Sequence, residues 1–327
     1  MALEVSIAVE RWPIAGTFTI SRGSKTEAAV VVCTLADGTF TGRGECVPYA
    51  RYGESLESVC AEIEALRSAL VNGATRDDLP ALIGAGAARN AVDCALWDIE
   101  AKRSGKSVVE LAGLSPLRDL TTAVTVSFGD VETMAASLRS FAGRPLIKVK
   151  VGGENNAERI AAIAAAAPSS RIILDANEGW TEANIIENML AAAKAGVVLI
   201  EQPLPAGKDA KLAEIPHPVP ICADESAHGT DDLPSLIGRY DSINIKLDKT
   251  GGLTEALRMQ QRARALGFGV MVGCMVGTSL AMAPAMLVAQ DADFVDLDGP
   301  LILKQDREPG LVFNGSQVSP PSRDLWG

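Results

Sequence analysis

The sequence predicts an α/β barrel of eight strands preceded by a smaller α+β domain, and three observations carry that reading. From about Thr121 onward, short runs rich in Val and Ile alternate with Ala-rich segments of helical spacing. The runs start about every 22 to 27 residues, the length of one strand, one helix and two loops, so the sheet is expected to be parallel. The first 115 residues lack this alternation and read as an antiparallel meander followed by helices.

In chain order, VSIAVERW and AAVVVCTLADGTFTGRGEC form the meander, with a hairpin at Asp37-Gly38. SLESVCAEIEALRSAL and AARNAVDCALWDIEAKRSG follow as helices. Barrel strands are expected in TTAVTVS, LIKVKV, RIILDAN, VVLIEQPL, VPICADES, SINIKLDK, GVMVGCM and DFVDLDG. Between them, AERIAAIAAAA and EANIIENMLAAAKAG repeat apolar residues at helical spacing, and the second ends at Gly196 as a capped helix would. After Gly299 the turns Pro309-Gly310 and Asn314-Gly315 read as hairpins in a tail that returns to the first domain. The chain thus divides into 1–115, 116–299 and 300–327.

With 327 residues, 47% of them hydrophobic, the chain can bury a sizeable core. A net charge of -11 argues against nucleic acid as a partner. No apolar run approaches the roughly 20 residues of a membrane span, and MALEVSIAVERW carries acids too early for a signal peptide. A cytoplasmic protein with no membrane partner is expected. Six scattered cysteines with no CxxC read as buried small hydrophobes rather than disulfides or zinc ligands.

Barrel enzymes place their chemistry at the C-terminal ends of the strands. Those ends carry Lys148 and Lys150, Asp175 and Asn177, Glu201, Asp224, Lys246, and Asp296 and Asp298. Asp175, Glu201 and Asp224 come from three successive strands, and three buried like charges require a cation among them. An all-oxygen set suits Mg²⁺, with Mn²⁺ as a substitute, and disfavours zinc. In LIKVKV, Lys148 and Lys150 share one strand face. A charged Lys148 makes its neighbour harder to protonate, which moves Lys150 toward the range of a general base. With Lys246 on the other side, the pair could take a proton from one face of a carbon and return it to the other, while a metal absorbs the charge developing on an adjacent carboxylate.

These residues resemble the muconate-lactonizing subgroup of the enolase superfamily, and most closely its bacterial dipeptide (L-Ala-D/L-Glu) epimerases. The resemblance runs over nearly the whole chain, through WPIAGTFTISRGS, GRGECVPYARYGES, IKVKV, LDANEGW, IEQPLP, ICADES, NIKLDKTGGLTEAL, GCMVGTS and DLDGP. It implies a modified (β/α)7β barrel with an N-terminal capping domain. It implies Asp175, Glu201 and Asp224 as Mg²⁺ ligands, Lys150 and Lys246 as acid/base catalysts, and Lys148 and Asn177 in support. By the same resemblance, Asp296 and Asp298 would receive the free ammonium of a dipeptide. Arg22, with Lys25 in the same Gly-containing loop, would receive an acidic side chain, and Arg51 is a weaker candidate. One departure is Gly277, where many relatives have an acidic residue.

The reaction implied is epimerisation of L-Ala-L-Glu and L-Ala-D-Glu by 1,1-proton transfer in murein peptide metabolism. An o-succinylbenzoate synthase, a cycloisomerase and an N-acylamino acid racemase share the mechanism, but their substrates lack an ammonium for Asp296 and Asp298. A Schiff-base aldolase could use a lysine such as Lys246, yet would not need the carboxylates between two lysines. A non-catalytic binding barrel would need neither. The partners expected are a small dipeptide and further copies of the chain in a homo-oligomer.

Overall fold

A computed structural model describes residues 3–153 and 156–327. β1 (Glu4–Ile20), β2 (Gly23–Ala36) and β3 (Thr41–Cys46) form an antiparallel sheet in that order. The Asp37 carboxylate accepts from the Thr39 and Phe40 amides at 2.9 and 2.8 Å, closing the β2–β3 turn as an Asx turn. The ISRGSK segment is less of a loop than the sequence suggests. Pairing continues through Thr19 with Ser24 and Ile20 with Gly23, so only Ser21 and Arg22 remain at the tip.

The helix Ala87–Ser104 lies directly on this sheet. A Cβ on Gly42 would fall 2.3 Å from the Ala95 carbonyl oxygen, and one on Gly44 2.1 Å from that of Ala91. Two alternate positions of β3 are therefore glycine because a helix backbone occupies the space a side chain would take. The helical segment after Ser55 breaks at Leu66 into Leu56–Ala65 and Arg67–Val71, which turns Arg67 onto the Val5 carbonyl at 2.6 Å.

β4 (Leu120–Thr121) leads into the eight strands of the barrel: β5 (Val124–Val126), β6 (Leu146–Lys150), β7 (Arg171–Asp175), β8 (Leu199–Glu201), β9 (Ile221–Ala223), β10 (Ser242–Ile245), β11 (Gly269–Gly273) and β12 (Phe294–Asp296). They pair in sequence order as one parallel sheet. The Ala123 amide donates to the Val295 carbonyl and the Leu297 amide to Thr122 Oγ1, both at 2.8 Å, linking the last strand to the first. The TTAVTVS run is thus split, its start pairing outside the barrel with β14 (Gln317–Val318) of a hairpin whose other strand is β13 (Phe313–Asn314). Pro309-Gly310, read as a hairpin, is a bend without strand pairing, because the next amide, of Leu311, donates to Ser279 Oγ. The tail ends on the helix Ala87–Ser104, where Trp326 Nε1 donates to the Cys94 carbonyl and the Gly327 amide to Asp98.

Leu146, Ile173, Leu199, Cys222 and Met271 pack together as an apolar layer inside the barrel. Leu146, Ile173, Leu199 and Cys222 each sit two residues before Lys148, Asp175, Glu201 or Asp224, so period-two alternation stacks those charged groups above the apolar layer. Every cysteine is free, four of them buried. Among the described residues no helix is long and apolar enough to cross a membrane.

Candidate active site

Strand register assembles the centre. Lys150 pairs with Asp175, and Asp175 with Glu201. Glu201 pairs with Cys222, and Asp224 lies two residues further on the same face. Asp175, Glu201 and Asp224 are 0%, 0% and 2% exposed, so their charges must be answered within the protein. Lysines do this. Lys150 Nζ lies 2.6 Å from Asp175 Oδ2, and Lys246 Nζ lies 2.7 Å from Asp224 Oδ2. Lys148 Nζ sits among three carboxylates, 3.0 Å from Asp175, 2.7 Å from Glu201 and 2.8 Å from Asp296.

Burial alone would strip Lys148 and Lys246 of their protons, but the carboxylates outweigh it. Asp296, Glu201 and Asp175 hold the Lys148 pKa well above the usual lysine value, and Asp224 and Glu201 do the same for Lys246. Burial raises Glu201, and Asp175 adds to that. Against their own burial, Asp175 is drawn below the usual carboxylate range by Lys150 and Lys148, and Asp224 by Lys246 and Lys249. Lys148 is therefore more than a neighbouring charge beside Lys150; it joins Asp175 and Glu201 to Asp296.

Among the described residues, no three His, Cys, Asp or Glu side chains stand as a preformed metal cage. Ammonium groups take up the carboxylate oxygens that face one another. The donor set nevertheless fits a hard divalent cation: three buried carboxylates on neighbouring strands, with neither thiolate nor imidazole among them. A cation entering here would replace ammonium partners on Asp175, Glu201 and Asp224.

The other expected residues fall around this centre. The Asn177 amide donates to Asp175 Oδ1 at 2.9 Å, and its carbonyl accepts from Ser21 Oγ at 3.1 Å and Arg22 at 2.8 Å. Its φ of 42° and the 65° of Glu178 put both residues in the left-handed region, which aims that carbonyl at the cap. Asn177 thus acts through its backbone. Asp296 Oδ2 meets Lys148, while its Oδ1 is buried without a hydrogen bond. Asp298 accepts from the Thr125 amide at 2.6 Å, and burial with Asp296 nearby pushes it up to about 7. Lys25 stands apart from the carboxylates, its ammonium 5.6 Å from the centre of the Tyr49 ring.

At the rim, Arg22 donates to Asn177, Glu178, Tyr49 and Glu225, and Arg51 makes a two-point contact with Glu178 at 2.9 and 2.8 Å. A cavity of about 420 Å³ opens beside Ser21, Arg22, Arg51 and Asn177. A second, of about 440 Å³, opens beside Arg51, Tyr52, Glu225 and His228. Neither is lined by Lys150 or Lys246. Gly277 abuts the cap: a Cβ there would fall 3.0 Å from Glu45 Oε1 and 3.2 Å from Val47. An acidic side chain at this turn would set a second carboxylate against buried Glu45, so the departure follows from how closely β3 approaches.

Sequence reading missed four residues. Lys249 donates to Asp224 at 2.6 Å and to the Asn244 carbonyl at 2.8 Å, and Asn244 Nδ2 donates to Glu201 Oε1 at 2.8 Å. Both lie in SINIKLDK, one strand step before and one helical turn after Lys246, a spacing that could have found them. Glu178 and Glu225 carry no such signal, since their partners come from the cap.

Residues 2–113 match the mandelate racemase / muconate lactonizing enzyme N-terminal domain, and residues 130–321 the enolase C-terminal domain-like family. The L-Ala-D/L-Glu epimerase of Escherichia coli (strain K12) is 46% identical over 316 residues, 96% of this chain and 98% of that protein. The N-acetyl-D-glutamate racemase of a Pseudoalteromonas species is 45% identical over 91% of this chain and 95% of its own. An enolase family member from Agrobacterium tumefaciens, described as homologous to dipeptide epimerases and crystallised with sodium and L-Ala-L-Glu, superposes with a TM-score of 0.98 at 58% identity, covering 99% of this chain and 100% of that one. The dipeptide epimerase from Cytophaga hutchinsonii, complexed with Mg and D-Ala-L-Val, superposes with a TM-score of 0.91 at 28% identity over 98% and 94% of the two chains. On these matches the chain belongs to the enolase superfamily, in its mandelate racemase / muconate lactonizing enzyme family.

Proposed function

We propose that the protein is a Mg²⁺-dependent dipeptide epimerase that interconverts L-Ala-L-Glu and L-Ala-D-Glu in murein peptide metabolism. One observation carries the reading: Lys150 and Lys246 approach the carboxylate row from opposite ends, each bound to a different acid. A planar carbon held between them can lose a proton to one lysine and gain one from the other. Asp175, Glu201 and Asp224 would hold one Mg²⁺ per subunit, with Mn²⁺ as a substitute. The bound ion supplies charge neutralisation at the substrate carboxylate as the α-proton leaves.

The chain's own groups do the rest. Lys148 stays charged between Asp175, Glu201 and Asp296, so it keeps the row compact and adds positive charge beside Lys150. The unpartnered Oδ1 of Asp296 and the nearby Asp298 offer a seat for an ammonium group. Arg22 faces the acidic side chain from the cap, while the cap tips exclude water. In this reading residues 116–299 supply the chemistry, and residues 1–115 and 300–327 form the cap. The protein acts in the cytoplasm as a homo-oligomer on a small peptide, with no nucleic acid or membrane partner.

Proton NMR of L-Ala-L-Glu in D₂O tests the reading. The glutamate α-proton signal should vanish as a second diastereomer grows in, and a chelator should stop both. No exchange with Mg²⁺ present would overturn it. The likeness to an N-acetyl-D-glutamate racemase supports a second reading, racemisation of an N-acylated glutamate by the same lysines. It leaves Asp296 Oδ1 without an ammonium, and faster exchange of N-acetyl-L-glutamate than of the dipeptide would favour it.

A further inference from the structure

Arg22 has no free end. Its Nη1 donates to the Asn177 carbonyl at 2.8 Å and to Glu178 at 3.1 Å, and its Nη2 donates to Tyr49 at 2.9 Å and to Glu225 at 2.7 Å. These four bonds use the four N–H groups of the guanidinium's two terminal nitrogens. A substrate carboxylate can be received in two-point fashion only if a resident partner lets go.

The partners are held unequally. Glu178 also accepts from Arg51 twice and from the Ala206 amide at 2.8 Å, so it is anchored without Arg22. The Asn177 carbonyl is fixed by a backbone that the barrel holds. Glu225 is different. Its side chain is 1% exposed, its Oε1 is bound by Arg22, and its Oε2 is buried without a hydrogen bond. Asp224 and Asp175 lie close enough to repel its charge.

We propose that Glu225 is a specificity-determining residue that occupies the acidic side-chain seat on Arg22 and is exchanged for the substrate's carboxylate. The inference rests on the dipeptide reading above. Every acidic substrate must displace a buried carboxylate that then loses its one hydrogen-bonded cation, a cost that a neutral side chain does not meet. Glu225 therefore restrains the preference for acidic second residues that Arg22 alone would give.

The test compares L-Ala-L-Glu with L-Ala-L-Gln, which differ in charge but hardly in shape, in the wild-type protein and in Glu225→Gln. The amide of the variant can still accept from Arg22 but is a weaker, uncharged competitor. Discrimination, as the ratio of the two dissociation constants from calorimetry and of the two KM values, should shift toward L-Ala-L-Glu by about tenfold, the scale of one charge-assisted hydrogen bond. Glu225→Ala, which removes the competitor altogether, should shift it in the same direction and guards against a local fault of the amide. An unchanged ratio in both variants, or a shift toward L-Ala-L-Gln, would overturn the proposal and make Glu225 a support for Arg22. The epimerase reading fails separately, if the wild-type protein leaves the α-proton of both dipeptides in place, and the binding ratio can still be read in that case.

Discussion

The barrel mouth and the cap rim both gather buried or half-buried charges, but they hold them by different means. At the mouth, Lys148, Lys150, Asp175 and Glu201 project from neighbouring strands in fixed register. At the rim, Arg22 comes from a two-residue turn, Arg51 from a short 3₁₀ turn and Glu178 from a left-handed loop. Exposure follows the same division: the Lys148 side chain is 2% exposed, against 27% for Arg22 and 39% for Arg51. On the proposed reading, chemistry that must be placed to a fraction of an ångström would sit on the sheet, and selectivity on the cap tips.

If this division is right, the largest losses belong to the mouth. Lys150→Ala and Lys246→Ala should each lower kcat by about 10³-fold or more, the range of a lost general acid or base, while Mg²⁺ binding by calorimetry persists. Retained turnover in either would remove that lysine from the mechanism and break the comparison at its firmer side.

Rim substitutions should alter selectivity more than rate. Arg22→Ala should raise KM for L-Ala-L-Glu by about 100-fold, as expected when a charge-assisted two-point contact is lost, and affect L-Ala-L-Leu far less. Equal losses on both peptides would mean that Arg22 only shapes the cap. Glu178→Gln should weaken the hold on Arg51 and Arg22 together, and because Arg22 keeps Asn177, Tyr49 and Glu225 while the Gln amide oxygen can still accept from Arg51, the change in KM should be only about three- to tenfold. A drop in kcat as deep as that of the lysine variants would show that rim and mouth are one unit.

The smallest effect belongs to the seam. Asp248 accepts from the Val47 amide at 3.0 Å and from Asn90 at 2.8 Å across the boundary between cap and barrel, and burial pushes it up to about 7 from the usual 3.8. The folded protein holds this proton more tightly than the unfolded chain does, so the contribution of Asp248 to stability falls as pH rises from about 4 to about 7 and stays low above that. Asp248→Asn can accept the same two hydrogen bonds without the charge. Its Tm should therefore fall less than that of the wild-type protein over this interval, and parallel Tm curves would assign the shift to other groups.

Much of the mouth was legible because strand alternation is local. Once RIILDAN and LIKVKV are strands, period two puts Lys148 and Lys150 on one face of their strand and Asp175 on the face of Ile173, whatever lies elsewhere. SINIKLDK holds Asn244 by the same rule, two residues before Lys246, and Lys249 by helical spacing after it. The split of TTAVTVS was not legible, because it depends on where β14 lands, nearly two hundred residues later. Nor was the bend at Pro309-Gly310, whose neighbouring amide finds Ser279 instead of a strand.

The sequence by itself determined the barrel, the row of carboxylates and the lysines at its two ends, because each follows from periodicity within a single strand and from where strands end. Only the tertiary structure decided which ammonium answers which acid, why Gly277 must stay small against Glu45, and that Arg22 is already bound to Glu178 and Glu225. The cap contacts among these join residues some 150 to 230 positions apart, and the ammonium–acid pairs join residues on different strands. Their energies come from burial and from the partner at hand, which no local pattern encodes.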